Sequence, residues 1–351
     1  MTAARIEVIR RRLLAGGVIP AHPLALTRRR RLDERRQRAL TRYYLDAGAA
    51  GVAIGVHTTQ FRIRDPRVGL LEPVLALGAD TIARWPLRRP VVAVAGVVGP
   101  TRQALREAGL AADLGYDVAL VSLGGLADWS DARLLSHLRE IAAVIPVMGF
   151  YLQPAVGGRP LGYEFWRRFA ELESVVAIKV APFSRYQTLD VIRAVVDAGR
   201  HREIALYTGN DDAIVADLTA RYRLRGPRGD LVTARFVGGL LGHWAYWTRS
   251  AVRLVERIRR GDGAGALTGL AAATTDANAA VFDVANGFRG CIPGIHQILR
   301  RQGLLAGRWC LDEHERLSPG QAAEIDRIVT AYPALGDDRF VRSRLTRWLT
   351  P

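Results

Sequence analysis

Lys179 lies inside the apolar run SVVAIKVAP (174–182), and it is the only lysine in the chain: the other 49 of the 50 basic residues are arginines. Arginine serves wherever only a solvated charge is wanted. The two types part company where the side chain must give up its proton, because a guanidinium stays charged at any workable pH. An amine buried among apolar groups loses its proton more readily and then acts as a nucleophile towards a carbonyl. One lysine kept against the composition of the whole chain therefore points to a chemical role. Tyr151 in FYLQP (150–154) offers a phenol that can pass protons. HTTQF (57–61) offers His57, two hydroxyls on Thr58 and Thr59, the amide of Gln60 and a run of backbone N–H groups. Asn210 follows the run YTG, Gly238 and Gly239 stand in VGGLLG, and His22 stands in PAHP.

Each of these residues also has a plain structural reading. A tyrosine packs in a core once its hydroxyl finds a partner. Threonines close turns and cap helices, a lone histidine is more often structural than catalytic, and a Gly pair satisfies a tight turn. The seven histidines show no HxH or HExxH spacing, so no metal site is expected. Cys291 and Cys310 are too few for a disulfide framework or a four-cysteine zinc site, which fits a reducing cytoplasm.

The elements that must position these groups follow from pattern. Eight short apolar runs read as strands: 17–26, 51–55, 91–97, 118–123, 146–152, 175–181, 204–209 and 231–237. Most are rich in Val, Ile, Leu and Ala without strict alternation, as strands of a helix-covered parallel sheet should be. Amphipathic segments separate them, at 32–48, 65–80 with Asp65 as N-cap, 131–144 and 185–199. Eight such units predict a (β/α)8 TIM barrel, with a doubly wound open sheet as the runner-up; the latter would carry a Gly-rich first turn where this chain has PAHPLALT. Helical patterns at 245–261, 266–287 and 318–332 predict a C-terminal helical appendage. The expected organisation is an N-terminal helix over 1–15, the barrel over 16–245 and the helical region over 246–351. In a barrel of this kind the chemistry sits at the C-terminal ends of the strands, where Tyr151, Lys179, the HTTQF loop and the Gly-rich runs all fall.

The net charge of +16 raises the question of nucleic acid. The arginines are spread along the whole chain, and the densest block, RRRRLDERRQR (residues 28–38), contains acids and no interleaved aromatics. Attraction for a small anionic substrate is the better expectation, with no nucleic-acid partner. No apolar run is long enough to span a bilayer, and no secretory signal pattern opens the chain, so neither membrane association nor export is expected.

A lysine late in the sixth strand in AIK, a tyrosine late in the fifth in FYLQP and a threonine loop after the second strand together resemble the dihydrodipicolinate synthase / N-acetylneuraminate lyase family. The resemblance covers roughly residues 15–300. It implies that Lys179 forms an imine with pyruvate or another 2-oxo acid, with no cofactor beyond that covalent link. It implies that Tyr151 shuttles protons and that Thr58, with Thr59 and Gln60, falls on the Thr-Gly-Glu loop that holds the carboxylate. GNDD (209–212) is similar to the family's Gly-Asp-Asp stretch. A homodimer or homotetramer is implied as well. Departures are visible: the loop lacks the glycine and the acid, AVGGRP carries no arginine at the position that binds the second substrate in the lysine-pathway enzyme, and SLGGLADW lacks that enzyme's relay tyrosine. The expectation is a related aldolase, hydratase-aldolase or dehydratase rather than the lysine-pathway synthase. The alternative is a non-catalytic barrel that binds a small anion or a partner protein.

Overall fold

The computed structural model describes residues 2–87, 89–261 and 264–350; Met1, Arg88, Asp262, Gly263 and Pro351 lie outside the described residues. In chain order the elements are α1 (Ala3–Ala15), β1 (Val18–Pro20), α2 (Glu34–Ala47), β2 (Gly51–Ile54), α3 (Leu71–Arg84), β3 (Val92–Val97), α4 (Thr101–Asp113), β4 (Val118–Ser122), α5 (Asp131–Val144), β5 (Val147–Leu152), α6 (Tyr163–Phe169), β6 (Val175–Ala181), α7 (Arg185–Asp197), β7 (Ala205–Thr208) and α8 (Ile214–Thr219). A hairpin of β8 (Tyr222–Arg225) and β9 (Leu231–Ala234) precedes β10 (Gly238–Leu241). Helices α9 (Thr248–Arg260), α10 (Ala264–Val281), α11 (Cys291–Arg301), α12 (Gln321–Ala331), α13 (Asp338–Arg342) and α14 (Leu345–Leu349) complete the chain. With the hairpin set aside, a strand is followed by a helix eight times, and the fold class is the (β/α)8 barrel.

The chain divides into two compact units, Met1–Gly17 with Val92–Leu240, and Val18–Val91 with Leu241–Pro351. In the first, the strands run in the order β10-β7-β6-β5-β4-β3. The pairs from β3 to β7, and β7 with β10, are parallel. All the residues of β3 to β7 are buried, which is why their sequences are continuous Val/Ala/Leu/Ile runs. α6 covers β5 with an aromatic cluster in which Phe165, Trp166 and Phe169 are buried and pack edge-on or stacked. α1 lies against this unit, its Leu13 carbonyl accepting the Tyr207 hydroxyl at 2.9 Å.

In the second unit, β1 and β2 are joined by a parallel bridge from Ala21 to Ala53. α2 starts where Asp33 accepts from the Arg36 N–H at 3.1 Å, and it stops, as its sequence pattern predicts, at Gly48 in the left-handed region. Its Tyr43 hydroxyl donates to Asp337 at 2.7 Å and accepts from Thr248 N at 2.7 Å, tying α2 to α9 and the C-terminal segment.

Three expectations need correction. The run 231–237 is not the eighth barrel strand: Leu231–Ala234 pairs antiparallel with Tyr222–Arg225, and the barrel strand is Gly238–Leu241. The alternation was visible, since Val232, Ala234 and Phe236 are buried while Leu231, Thr233 and Arg235 are exposed, the signature of a half-exposed hairpin strand. The helix expected at 65–80 begins at Leu71, because Gly69 takes φ +61 and Asp65 caps a local turn by accepting from Arg67 N at 2.9 Å. The first strand ends at Pro20 rather than residue 26, because Pro20 and Pro23 supply no N–H to a ladder.

Candidate active site

Lys179 is the fifth of the seven residues of β6, whose Val-rich sequence is buried throughout. Burial lowers its amine from the usual lysine value to about 8, a shift opposed by the nearby Asp211 carboxylate. Its stem runs over Gly209: a Cβ at Gly209 would lie 2.8 Å from Lys179 Cε and 2.7 Å from Ala181 Cβ. Glycine is therefore required there by the close approach of the lysine, and not by its own backbone angles. The Lys179 Nζ stands 4.2 Å from the centroid of the Phe150 ring, over its face.

Side chains alternate across a strand, and residues paired in neighbouring parallel strands share a face. Lys179 pairs with Phe150 in β5 and with Tyr207 in β7; Phe150 pairs in turn with Ser122 in β4. Tyr151 pairs with Val180 and so points to the other side. There its ring packs on Trp166 of α6 at 5.3 Å, and its hydroxyl accepts from Leu161 N at 3.2 Å. Gly149 faces the same way, since a Cβ on it would meet Phe169 and Trp166. The sequence sets Tyr151 beside the lysine; in the structure the ring against the amine is that of Phe150. The cause is a bulge. Val147 pairs with Val175 but Met148 with Ala177, so one extra residue, Val176, enters β6. Without it Tyr151 would pair with Lys179.

The end of β7 is built around Asp217, which is fully buried. It accepts from the Thr208 hydroxyl at 2.5 Å, from Asn210 Nδ2 at 2.9 Å and from the Arg185 guanidinium. Asn210 also donates to Thr188 Oγ1 and accepts from Phe183 N at 3.0 Å. Phe183 is held at φ +54 immediately after β6. The Asn210 amide, expected from sequence to touch substrate, is engaged in fixing the two loops that follow β6 and β7. Gly238 lies in β10, and a Cβ on it would lie 2.1 Å from the Gly17 carbonyl oxygen. Gly239 donates its N–H to that oxygen at 3.1 Å. Close backbone approach explains the glycine at 238.

The other sequence-derived residues belong to the second unit. Thr59 is a structural tie: its hydroxyl accepts from Gly55 N and Val56 N and donates to the His22 carbonyl at 2.7 Å. Thr58 differs, since its hydroxyl is buried with no hydrogen-bond partner. Gln60 is held at φ +67, its Oε1 accepting from Leu311 N at 2.6 Å while its Nε2 is buried without a partner. His57 stands edge-on to Phe61. His22 is wholly buried, with Nδ1 near the Pro23 carbonyl (2.7 Å) and Nε2 2.9 Å from Thr41 Oγ1; burial lowers its pKa to about 4, so it is neutral. Both of its nitrogens are engaged within the fold.

No role follows from the sequence for Phe150, Thr208 or Asp217, and Gly209 reads there only as the first residue of GNDD. Among the described residues, no group of three or more His, Cys, Asp or Glu side chains is placed to hold a metal ion, and no helix is long and apolar enough to cross a membrane.

A search of curated protein sequences finds no match. Solved structures match closely in fold. The E. coli K12 prophage protein YagE, described as a member of the dihydrodipicolinic acid synthase family in complex with pyruvate, superposes with a TM-score of 0.75 at 18% identity, over 91% of this chain and 99% of that one. The dihydrodipicolinate synthase of Cyanidioschyzon merolae, with lysine bound, gives 0.74 at 18%, over 92% and 99%. N-acetylneuraminate lyase from Mycoplasma synoviae gives 0.69 at 16%, over 90% and 98%. These likenesses show the barrel fold. The model of the dihydrodipicolinate synthetase family matches residues 14–221, more than half of the chain and the part that carries Thr58, Tyr151 and Lys179. The chain belongs to the dihydrodipicolinate synthetase family.

Proposed function

We propose that the protein is a Schiff-base-forming lyase of pyruvate or another 2-oxo acid, working as an aldolase, hydratase-aldolase or dehydratase through Lys179. The observation that carries this reading is the buried amine itself, lowered to about 8 at the end of a barrel strand. At pH 7 about one such amine in ten is neutral and nucleophilic, against roughly three in ten thousand at the ordinary lysine value. The neutral nitrogen adds to the C2 carbonyl, forming a C–N bond. The carbonyl oxygen takes up two protons and leaves as water, and the product is a protonated imine. That cation accepts the electron pair freed when a bond at C3 breaks, which gives the enamine. No cofactor is needed for these steps.

The family resemblance gives Thr58 a role in binding a carboxylate. What supports this is its family position and its buried hydroxyl, which lacks a hydrogen-bond partner in the structure. The departures from the lysine-pathway pattern support a different 2-oxo acid reaction. Pyruvate is the first candidate because a structural relative was described in complex with it.

A second reading, a non-catalytic barrel that binds a small anion, draws support from the turning of Tyr151 away from the lysine face. Incubation with pyruvate and borohydride, followed by peptide mass analysis, separates the two. An adduct on the Lys179 peptide supports the lyase. Saturable pyruvate binding with no adduct supports the binder.

A further inference from the structure

We propose that Phe150 works on the Lys179 amine: its ring face holds the charged nitrogen, and then the charged imine, in position. This deepens the lyase reading for the imine, but its first half concerns the amine alone and needs no substrate.

The argument starts from the bulge. Val176 is the extra residue between the Val147–Val175 and Met148–Ala177 pairs. A single-residue slip turns every later side chain of β6 to the opposite face relative to β5. Tyr151 is thereby paired with Val180, and Phe150 is brought level with Lys179. Phe150 cannot move away easily, being buried in the middle of β5 with Ser122 of β4 on its other side. The amine lies over the ring face at 4.2 Å, close enough for the ring quadrupole to attract a cation. Gly209 completes the arrangement from β7, because any side chain there would collide with the Lys179 stem.

Two polar side chains share the paired positions of this face, and both are engaged elsewhere: Ser122 Oγ accepts from Gly124 N at 3.4 Å. Tyr207 is paired with Lys179, but its hydroxyl donates to the Leu13 carbonyl. The charged neighbour that acts on the amine is Asp211, which also favours its protonated form. Desolvation works against these two influences and sets the low value. Removing the ring while Asp211 stays should therefore leave desolvation less opposed, and the amine should titrate lower.

The test uses the single lysine. Reductive methylation with labelled formaldehyde gives one lysine side-chain NMR signal besides that of the N-terminus, and its pH titration reads the Lys179 midpoint directly. Phe150→Leu should lower that midpoint by about half a unit to one and a half units relative to the parent, as loss of a cation–π contact predicts. Site-specific replacement of Phe150 by trifluorophenylalanine keeps the shape and weakens the quadrupole, and should lower it in the same direction even if the leucine variant folds poorly. Tyr151→Phe should leave the midpoint within about 0.2 unit, because its phenol is on the other face. An unmoved midpoint in the Phe150 variants, or an equal movement on Tyr151→Phe, would overturn the proposal. Neither result bears on whether pyruvate forms an adduct, so the lyase reading stands or falls separately.

Discussion

Gly209→Ala adds one methyl group where the lysine stem passes. Its backbone lies outside the left-handed region, so alanine brings no torsional penalty and the effect is steric. The new Cβ would meet Lys179 Cε at 2.8 Å and Ala181 Cβ at 2.7 Å. Ordinary carbon contacts lie near 3.5–4.0 Å, so each is short by about 1 Å. Ala181 Cβ is fixed to the strand and has no rotamer to change. The lysine stem is flexible, so it should give way and carry its nitrogen about 1 Å from its place over Phe150. Overpacking of this kind costs about 1–3 kcal/mol of stability. A displacement of that size at a reacting atom costs on the order of a hundredfold in rate. The assay is the rate of pyruvate adduct formation under excess borohydride, beside a urea unfolding curve for the same variant. A loss near a hundredfold with a modest stability change is expected. Adduct formation at the parent rate, with unchanged stability, would refute the steric argument.

The two threonines of HTTQF should separate cleanly. Thr59→Val strands the Gly55 and Val56 N–H groups and the His22 carbonyl, and should cost about 2–4 kcal/mol in urea unfolding. Thr58→Val removes a buried hydroxyl with no partner, so stability should hold or rise in the same assay. Asp217→Ala leaves the buried Thr208 hydroxyl and one of the two Asn210 amide N–H groups without their acceptor and should cost about 2–4 kcal/mol in the same assay; the half-exposed Arg185 adds little. His22 is held at about 4, below its unfolded value near 6.5, so the unfolded chain takes up the proton first as pH falls. Its contribution is complete above about pH 6.5 and is lost as pH drops towards 4, by up to about 3 kcal/mol, so His22→Gln should flatten the fall in urea stability between pH 7 and pH 4.5.

Much of the barrel was legible because buried parallel strands write themselves as short apolar runs between capped helices. The Gly48 stop of α2 is a local signal that the fold obeys, whereas Asp65, which has the type of a cap, closes a turn ahead of α3. The hairpin was misplaced for a different reason. Leu231–Ala234 has strand composition, and only its alternation separates a half-exposed hairpin strand from a barrel strand. Lys179 stood out by composition, a signal independent of fold. Its neighbours were harder to read. Spacing of strand residues gives faces only when both strands are regular, and no residue type announces the bulge at Val176. Asp217 carried no mark either, since its importance lies in three donors brought from α7 and the end of β7.

The central claim is that the single lysine forms a carbon–nitrogen double bond with a 2-oxo acid. Borohydride reduction in the presence of pyruvate and a panel of other 2-oxo acids, read by mass spectrometry of the Lys179 peptide, tests it most directly. The account predicts a stoichiometric adduct at Lys179 with at least one ketoacid, and none in a folded Lys179→Arg variant. A parent protein that binds those acids yet yields no adduct, or an arginine variant with full turnover, would contradict it.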